Sequence, residues 1–396
     1  MWINRICKII PLIGLLALGA CSGSGDGDDA GPPTPVTTTA YTVDFSPGHV
    51  IGGNPVSDSV SASATLSVSS GEDTIASGSI TINGTTATSV TINAGYAGEN
   101  GPVSVVLNNS GGGRWTIPNG TEVDASERDR LESPGFYVSI QSPDGHLRGQ
   151  ILPPGWAVAS FDLTASEVVP ESASTGSAKA GFAFNSQTGF VYTRMTVDGI
   201  DDVLFAGIRQ GIAGANGDVS LAMEVSASNG NVWGSIDIND PNSSYRFSTA
   251  SINLAVSGQL YFSVESASSP GGVLRSQIVD ESIEVFDREL TTGEVVTSGP
   301  SVESSEQAVA TTTWVEGLSL LGVAVNTTVN DAISVNVHLG GPGETGGLEL
   351  RFGDGQTLVK LVEMIARRQG LGDLLAEGPQ RAAQAWGPEA ADLAIH

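Results

Sequence analysis

Apolar and polar residues alternate along most of the chain. Runs such as Ser79-Ile80-Thr81-Ile82 and Ser89-Val90-Thr91-Ile92 put every second side chain on one face, the period of a strand with one buried side. Asn, Gly, Asp and Pro punctuate these runs about every ten residues, as turns between antiparallel strands do. The pattern predicts about seven strands in each stretch of ~115 residues, enough for a two-sheet sandwich that encloses its own core.

The pattern also repeats. Gly95-Tyr96-Ala97-Gly98-Glu99-Asn100-Gly101, Gly211-Ile212-Ala213-Gly214-Ala215-Asn216-Gly217 and Gly340-Gly341-Pro342-Gly343-Glu344-Thr345-Gly346 share the form G-x-x-G-x-x-G, 116 and 129 residues apart, and each runs into a strand-like segment. Ala62, Ala178 and Ala308 head similar strands upstream. Downstream, FYVSIQSPDGHLRGQI (136–151) matches LYFSVESASSPGGVLRSQI (260–278), and Trp115 corresponds to Trp233. Three units follow: 41–155, 156–281 and 282–396. The third departs from the others after Phe352, where Leu358, Leu361, Val362 and Ile365 recur at helical spacing. An alanine-rich stretch from Ala382 to Ile395 follows, so 282–396 reads as an incomplete unit with a helical tail. The fold class predicted is all-β: tandem antiparallel β-sandwich units with a short helical C-terminal segment.

Charge and composition narrow the function. Seventeen basic against 43 acidic residues give a net charge of −26, which repels phosphate backbones and argues against a nucleic-acid partner. At the N-terminus, Arg5 and Lys8 precede an apolar run from Ile9 to Ala20, too short to span a bilayer comfortably but suited to a signal peptide. The run ends in Leu18-Gly19-Ala20-Cys21. This order resembles the lipobox of bacterial lipoproteins, which implies cleavage after residue 20 and lipid on Cys21, hence attachment to a membrane. Ser22 in place of Asp implies, by the same resemblance, the outer membrane, with the protein facing the periplasm or the cell surface. Residues 21–40, rich in Gly, Asp, Pro and Thr, read as a flexible acidic tether. With the signal removed, Cys21 is the one remaining cysteine, which leaves no disulfide or thiolate site within the chain.

The loop GYAGENGPV, the segment Trp115-Thr116-Ile117-Pro118 and the strand pair ending in Arg-Gly-Gln-Ile resemble the chordin-type (CHRD) domain. The resemblance spans nearly all of unit one, most of unit two and the first half of unit three. It implies an extracytoplasmic module and only weakly a function, because a fold hosts many functions. Family members often carry a His-x-His pair before the glycine loop. Here the pair is Thr91/Asn93, Gly207/Arg209 and Asn336/His338, so one histidine, His338, is left to suggest a metal.

Other chemistry is sparse. The glycine loops lead into strands and have no following lysine or helix, so they read as tight turns and not as phosphate cradles. Arg148 and Arg275 recur before a Gln and admit two readings, a contact with a partner or a guanidinium forked to carbonyls of its own unit. Tyr137, Tyr261, Trp115 and Trp233 recur as packing residues. Four scattered histidines and no Gly-x-Ser-x-Gly elbow give no catalytic set. Asp198-Gly199-Ile200-Asp201-Asp202 and Asp237-Ile238-Asn239-Asp240 supply oxygens for calcium without matching a calcium-loop motif. The reading that results is a lipid-anchored, non-enzymatic binding or structural module with a protein or polysaccharide partner. The alternative is a metal-dependent module using Asp201, Asp202 or His338, either calcium-stiffened or a remnant histidine site.

Overall fold

The computed structural model describes residues 36–70, 74–185, 187–228, 231–236, 249–279, 283–290, 308–315, 320–327, 336–338, 348–351 and 358–363. The signal segment, most of the tether with Cys21, the third glycine loop and the alanine-rich end lie outside them. Among the described residues no helix is long and apolar enough to cross a membrane.

Unit one contains β1 (Thr37–Ser46), β2 (Ser61–Ser70), β3 (Thr74–Asn83), β4 (Ser89–Ala94), β5 (Val103–Val106), β6 (Asn108–Gly111), β7 (Arg114–Thr116), β8 (Thr121–Glu122), α1 (Ala125–Glu132), β9 (Phe136–Ser142) and β10 (Gly145–Leu152). All pairings between these strands are antiparallel. One strand joins the two layers: Thr37–Tyr41 of β1 pair with β2, and Thr42–Ser46 pair with β10. The strand order β5-β4-β9-β10-β1-β2-β3-β7-β6 therefore bends at β1 into two facing sheets. Ile80, Val90, Val138, Ile140, Leu147 and Ile151 fill the space between them. They come from the alternating runs, because period-two apolar residues bury one face of each sheet.

Unit two repeats this order with β11 (Trp156–Leu163), β12 (Ser177–Asn185), β13 (Phe190–Asp198), β14 (Val203–Gln210), β15 (Val219–Ala222), β16 (Glu224–Ser228), β17 (Asn231–Ile236), α2 (Thr249–Val256), β18 (Leu260–Ser266) and β19 (Leu274–Gln277). Its sheets run β11-β12-β13-β17-β16 and β15-β14-β18-β19. Phe182, Met195, Ile208, Phe262 and Leu274 lie in its core. The first strand again reaches the last at the repeated arginine: Ser46 pairs with Arg148 in unit one, and Thr164 bridges Arg275 in unit two.

Unit three shows β20 (Ile283–Leu290), β21 (Ala308–Val315), β22 (Leu320–Thr327), β23 (Asn336–His338), β24 (Leu348–Arg351) and β25 (Leu358–Glu363). The all-β sandwich reading holds, with one correction. Leu358, Leu361 and Val362 are not on a helix but on β25, which pairs with β22 from Leu320↔Glu363 to Val325↔Leu358. The reason is visible across the units, since β3 pairs with β7, β13 with β17 and β22 with β25. The segment is the third copy of the strand that carries Trp115 and Trp233. Its spacing fits a helix as well, and the need to complete the sheet decides between the two. The rest of the expected helical tail, with Ile365, lies outside the described residues.

The two helices α1 and α2 were not expected. Asp124 starts α1 with a capping box: its carboxylate accepts from Glu127 N (2.8 Å), and Glu127 Oε2 accepts from Asp124 N (3.1 Å).

Candidate functional site: the glycine loops and the joints between units

Each of the first two glycine loops is held from below by a tyrosine, an arginine and a glutamine. In unit one, Arg148 Nη1 donates to Glu99 O (2.7 Å), and Nη2 donates to Tyr96 O (2.8 Å) and Gln150 Oε1 (3.2 Å). Gln150 Nε2 donates to the carbonyls of Gly95, Pro134 and Phe136. Tyr137 lies under the guanidinium, 3.6 Å from ring centre to Cζ, and its hydroxyl accepts from Gly101 N (3.2 Å).

Unit two reproduces the set residue by residue. Arg275 donates to Ala215 O (3.0 Å), Ile212 O (2.8 Å) and Gln277 Oε1 (2.9 Å). Gln277 Nε2 donates to Gly211, Gly258 and Leu260 carbonyls, and Tyr261 stacks on Arg275 at 3.7 Å while its hydroxyl accepts from Gly217 N. Arg148 is 4% and Arg275 3% exposed. Burial lowers the Arg148 pKa to about 10 and also depresses that of Arg275, with the nearby tyrosine and glutamate opposing the shift in each case. Both stay charged at neutral pH and use that charge to bind loop carbonyls. Of the two readings of these arginines, the geometry gives the internal one, so the partner contact is corrected.

The degraded His-x-His positions have the same task. A β-bulge recurs at Ile92/Asn93, Ile208/Arg209 and Val337/His338. At the first, Asn93 Nδ2 donates to Gly101 O (3.1 Å); at the second, Arg209 Nη1 donates to Gly217 O (3.0 Å) and pairs with Glu265. Both tie down the last glycine of the loop. His338 occupies the third bulge. Asp202 accepts from Ser268 N (2.8 Å), which lowers its pKa, and so caps a neighbouring turn. Asp201 is exposed beside it. Asp201 and Asp202 lie between β13 and β14, and His338 lies on β23. Among the described residues no three His, Cys, Asp or Glu side chains are grouped to hold a metal.

The loops also join the units, which the sequence reading missed. Gly98, at φ +90°, lies against Gly181 and Arg194 of unit two; a Cβ on it would be 2.1 Å from Arg194 O. Thr196 Oγ1 donates to Gly98 O (2.9 Å). Tyr96 stacks on Tyr192 (5.1 Å between centroids), and the Arg194 guanidinium lies 4.6 Å from the Tyr96 ring centre and 3.4 Å from the Glu99 carboxylate. Ala97 and Leu152 of unit one belong to the core of unit two, and three residues, Pro153-Pro154-Gly155, connect the units. The second joint has the same plan. Gly214, at φ +77°, lies over Thr311 and Ala324, and Asn326 Nδ2 donates to Gly214 O (2.8 Å). Ile212, Ala215 and Ala324 form a small apolar cluster there. Gly181 in the middle of a strand was the available signal, because a strand glycine marks close backbone approach.

His49 sits at the first joint in the 3-10 turn Pro47–His49, next to Gly48, whose carbonyl accepts from Lys179 Nζ of unit two (2.8 Å). Its ring is buried, with Nδ1 unpartnered. Burial, followed by the charge of Arg148, lowers its pKa to about 4; a hydrogen bond with the Asp44 backbone opposes this, and Lys179 adds to it. The unfolded state takes up a proton near pH 6.5 and the folded state only near pH 4. The neutral ring's contribution is therefore intact above pH 6.5 and is lost as pH falls toward 4, amounting to about 3 kcal/mol. Urea unfolding of wild type and His49→Asn as a function of pH should show a shallower slope over this window in the variant. Parallel slopes would contradict the assignment.

Comparison with known proteins agrees with the repeats. The family model described as CHRD domain matches residues 41–151 and 159–278, more than half of the chain. A second, described as aldehyde ferredoxin oxidoreductase, domains 2 & 3, matches residues 334–396. Within that stretch the described residues are β23, β24 and β25. No curated protein and no solved structure matches the chain.

Proposed function

The chain belongs to the CHRD domain family, and from that premise we propose that it is a non-enzymatic structural and display module of the bacterial envelope, tethered to the outer membrane by lipid on Cys21. One observation carries the reading. The polar residues that recur, Tyr137-Arg148-Gln150 and Tyr261-Arg275-Gln277, hold the glycine loops, and the first two loops hold the following unit. Residues that repeat for chemistry would converge on an open cleft; these converge on backbone carbonyls inside the protein. Joints of this kind make a stiff spacer, in which each unit contacts its neighbours, at the end of a tether shorter than the expected 21–40, because Thr37–Ala40 already pair with β2 as the start of β1. The membrane link rests on Leu18-Gly19-Ala20-Cys21 and the charged, apolar segment before it. Acylation at this cysteine, with two or more chains, is sufficient for stable anchoring. Fractionation of cells expressing the full chain checks this. Wild type should sediment with outer membranes, and Cys21→Ser should leave them for the soluble fraction. Equal membrane retention of the variant would end the anchoring proposal.

A further inference from the structure

The two joints obey one rule that also applies to the first unit. Counting from the alanines that head them, Ala62, Ala178 and Ala308, the acceptor positions are Thr65/Ser79 in unit one, Gly181/Arg194 in unit two and Thr311/Ala324 in unit three, each a directly opposed pair. The donor to the loop carbonyl comes two residues later on the third strand of the unit: Thr196 in unit two and Asn326 in unit three. In unit one that place is held by Thr81.

Among the described residues no loop covers the face in unit one. Thr65 is exposed and shares a hydrogen bond only with Ser79 (3.3 Å). The Thr81 hydroxyl, half-exposed, makes no hydrogen bond among the described residues. Around them, Ser61, Ser63 and Ser67 on β2 and Ser77 on β3 extend a hydroxyl surface, and the exposed Arg114, opposed to Thr81 on β7, stands at its edge. A threonine at the acceptor position is no obstacle, since Gly214 rests on the threonine Thr311.

We infer that the β2–β3 face of unit one, centred on Thr65, Ser79 and Thr81, is the acceptor half of a joint whose occupant is the glycine loop 340–346 of a second copy of this chain. The choice of occupant follows from the two established interfaces. The loop at Gly98 is seated on unit two and the loop at Gly214 on unit three. The sequence carries a third loop with Gly343 at the place of Gly98 and Gly214. Loop and acceptor lie in different units, so the contact is heterologous and links chains head to tail. The chain's net charge of −26 opposes association, so assembly grows with added salt as repulsion is screened. The inference rests on the joint geometry and is independent of lipid on Cys21.

Sedimentation of the full chain carrying Cys21→Ser, which removes lipid-driven association, tests it. The average mass should rise with concentration to at least twice the 40.4 kDa of one chain. Thr65→Arg blocks the acceptor and Gly343→Trp blocks the loop, and each alone should return the mass to a single chain. Mixed together, the two variants retain one intact acceptor and one intact loop, so they should recover pairs and stop there. A single-chain mass at every concentration and salt would overturn the inference, as would growth untouched by either variant. Failure of the mixture to pair would also overturn it.

Discussion

Replacing Arg148 by Leu should lower the stability of the protein by about 3–5 kcal/mol, the largest effect expected of any single surface-distant polar residue here. The side chain fills much of the same space, so cavity formation is a minor part of the loss. What disappears is the donor set for Tyr96 O, Glu99 O and Gln150 Oε1. The remaining carbonyls face a buried site that water does not reach, and an orphaned acceptor costs its full desolvation. Arg148→Lys keeps the charge but not the planar fork that serves two carbonyls and stacks on Tyr137, so it should recover only part of the loss. Arg275→Leu should behave alike, because its partners Ile212 O, Ala215 O and Gln277 Oε1 are equivalent. Urea unfolding measures all three. A loss below about 1 kcal/mol in Arg148→Leu would put it among ordinary surface changes and would remove the arginine from its place under the loop.

The second large effect is expected at Gly181. A Cβ there would lie 2.0 Å from Ala97 C and 2.2 Å from Gly98 N, both backbone atoms of unit one. Gly181 is on an extended strand and not in a left-handed conformation, so valine suits its own backbone and strand position. Gly181→Val therefore leaves unit two intact and drives the preceding loop away. The loop cannot absorb the clash by a small shift, because Arg148, Gln150 and Tyr137 fix it from beneath, so the clash breaks its hold on unit two. Hydrogen exchange separates the two parts. Amides of residues 95–101 should lose about tenfold or more of their protection, while those of β12 and β13 keep theirs. Unchanged protection in the loop would show that the units do not press on one another at this point.

Much of this was legible in the residue pattern. Strands such as β3 and β4 follow directly from Ser79-Ile80-Thr81-Ile82 and Ser89-Val90-Thr91-Ile92, because alternation leaves one solution for a half-buried strand. The repeat was visible in its glycines and in the Tyr, Arg and Gln that support them. β25 was misread because Leu358, Leu361 and Val362 fit helical spacing within a short apolar run, which periodicity alone does not tell from a strand buried on both faces, and only the pairing partner β22 selects the strand. The capping box Asp124-x-x-Glu127 is a local signal for α1 that the turn-rich surroundings obscured. The joints were hidden for a different reason. Gly98 and Gly181 are far apart in sequence, and a glycine within a strand says that another backbone comes close without saying which one. Asn93 and Arg209 share a role despite unlike chemistry, since each only has to donate to the last glycine of its loop. A search for retained histidines could not reveal that.

The central claim is that the loops couple the units into one stiff body, and calorimetry of the full chain tests it most directly. If it holds, units one and two melt in a single transition whose van't Hoff enthalpy approaches the calorimetric enthalpy of both, and Gly181→Val splits that transition into two. Two independent transitions in the unaltered protein, unmoved by Gly181→Val, would contradict it.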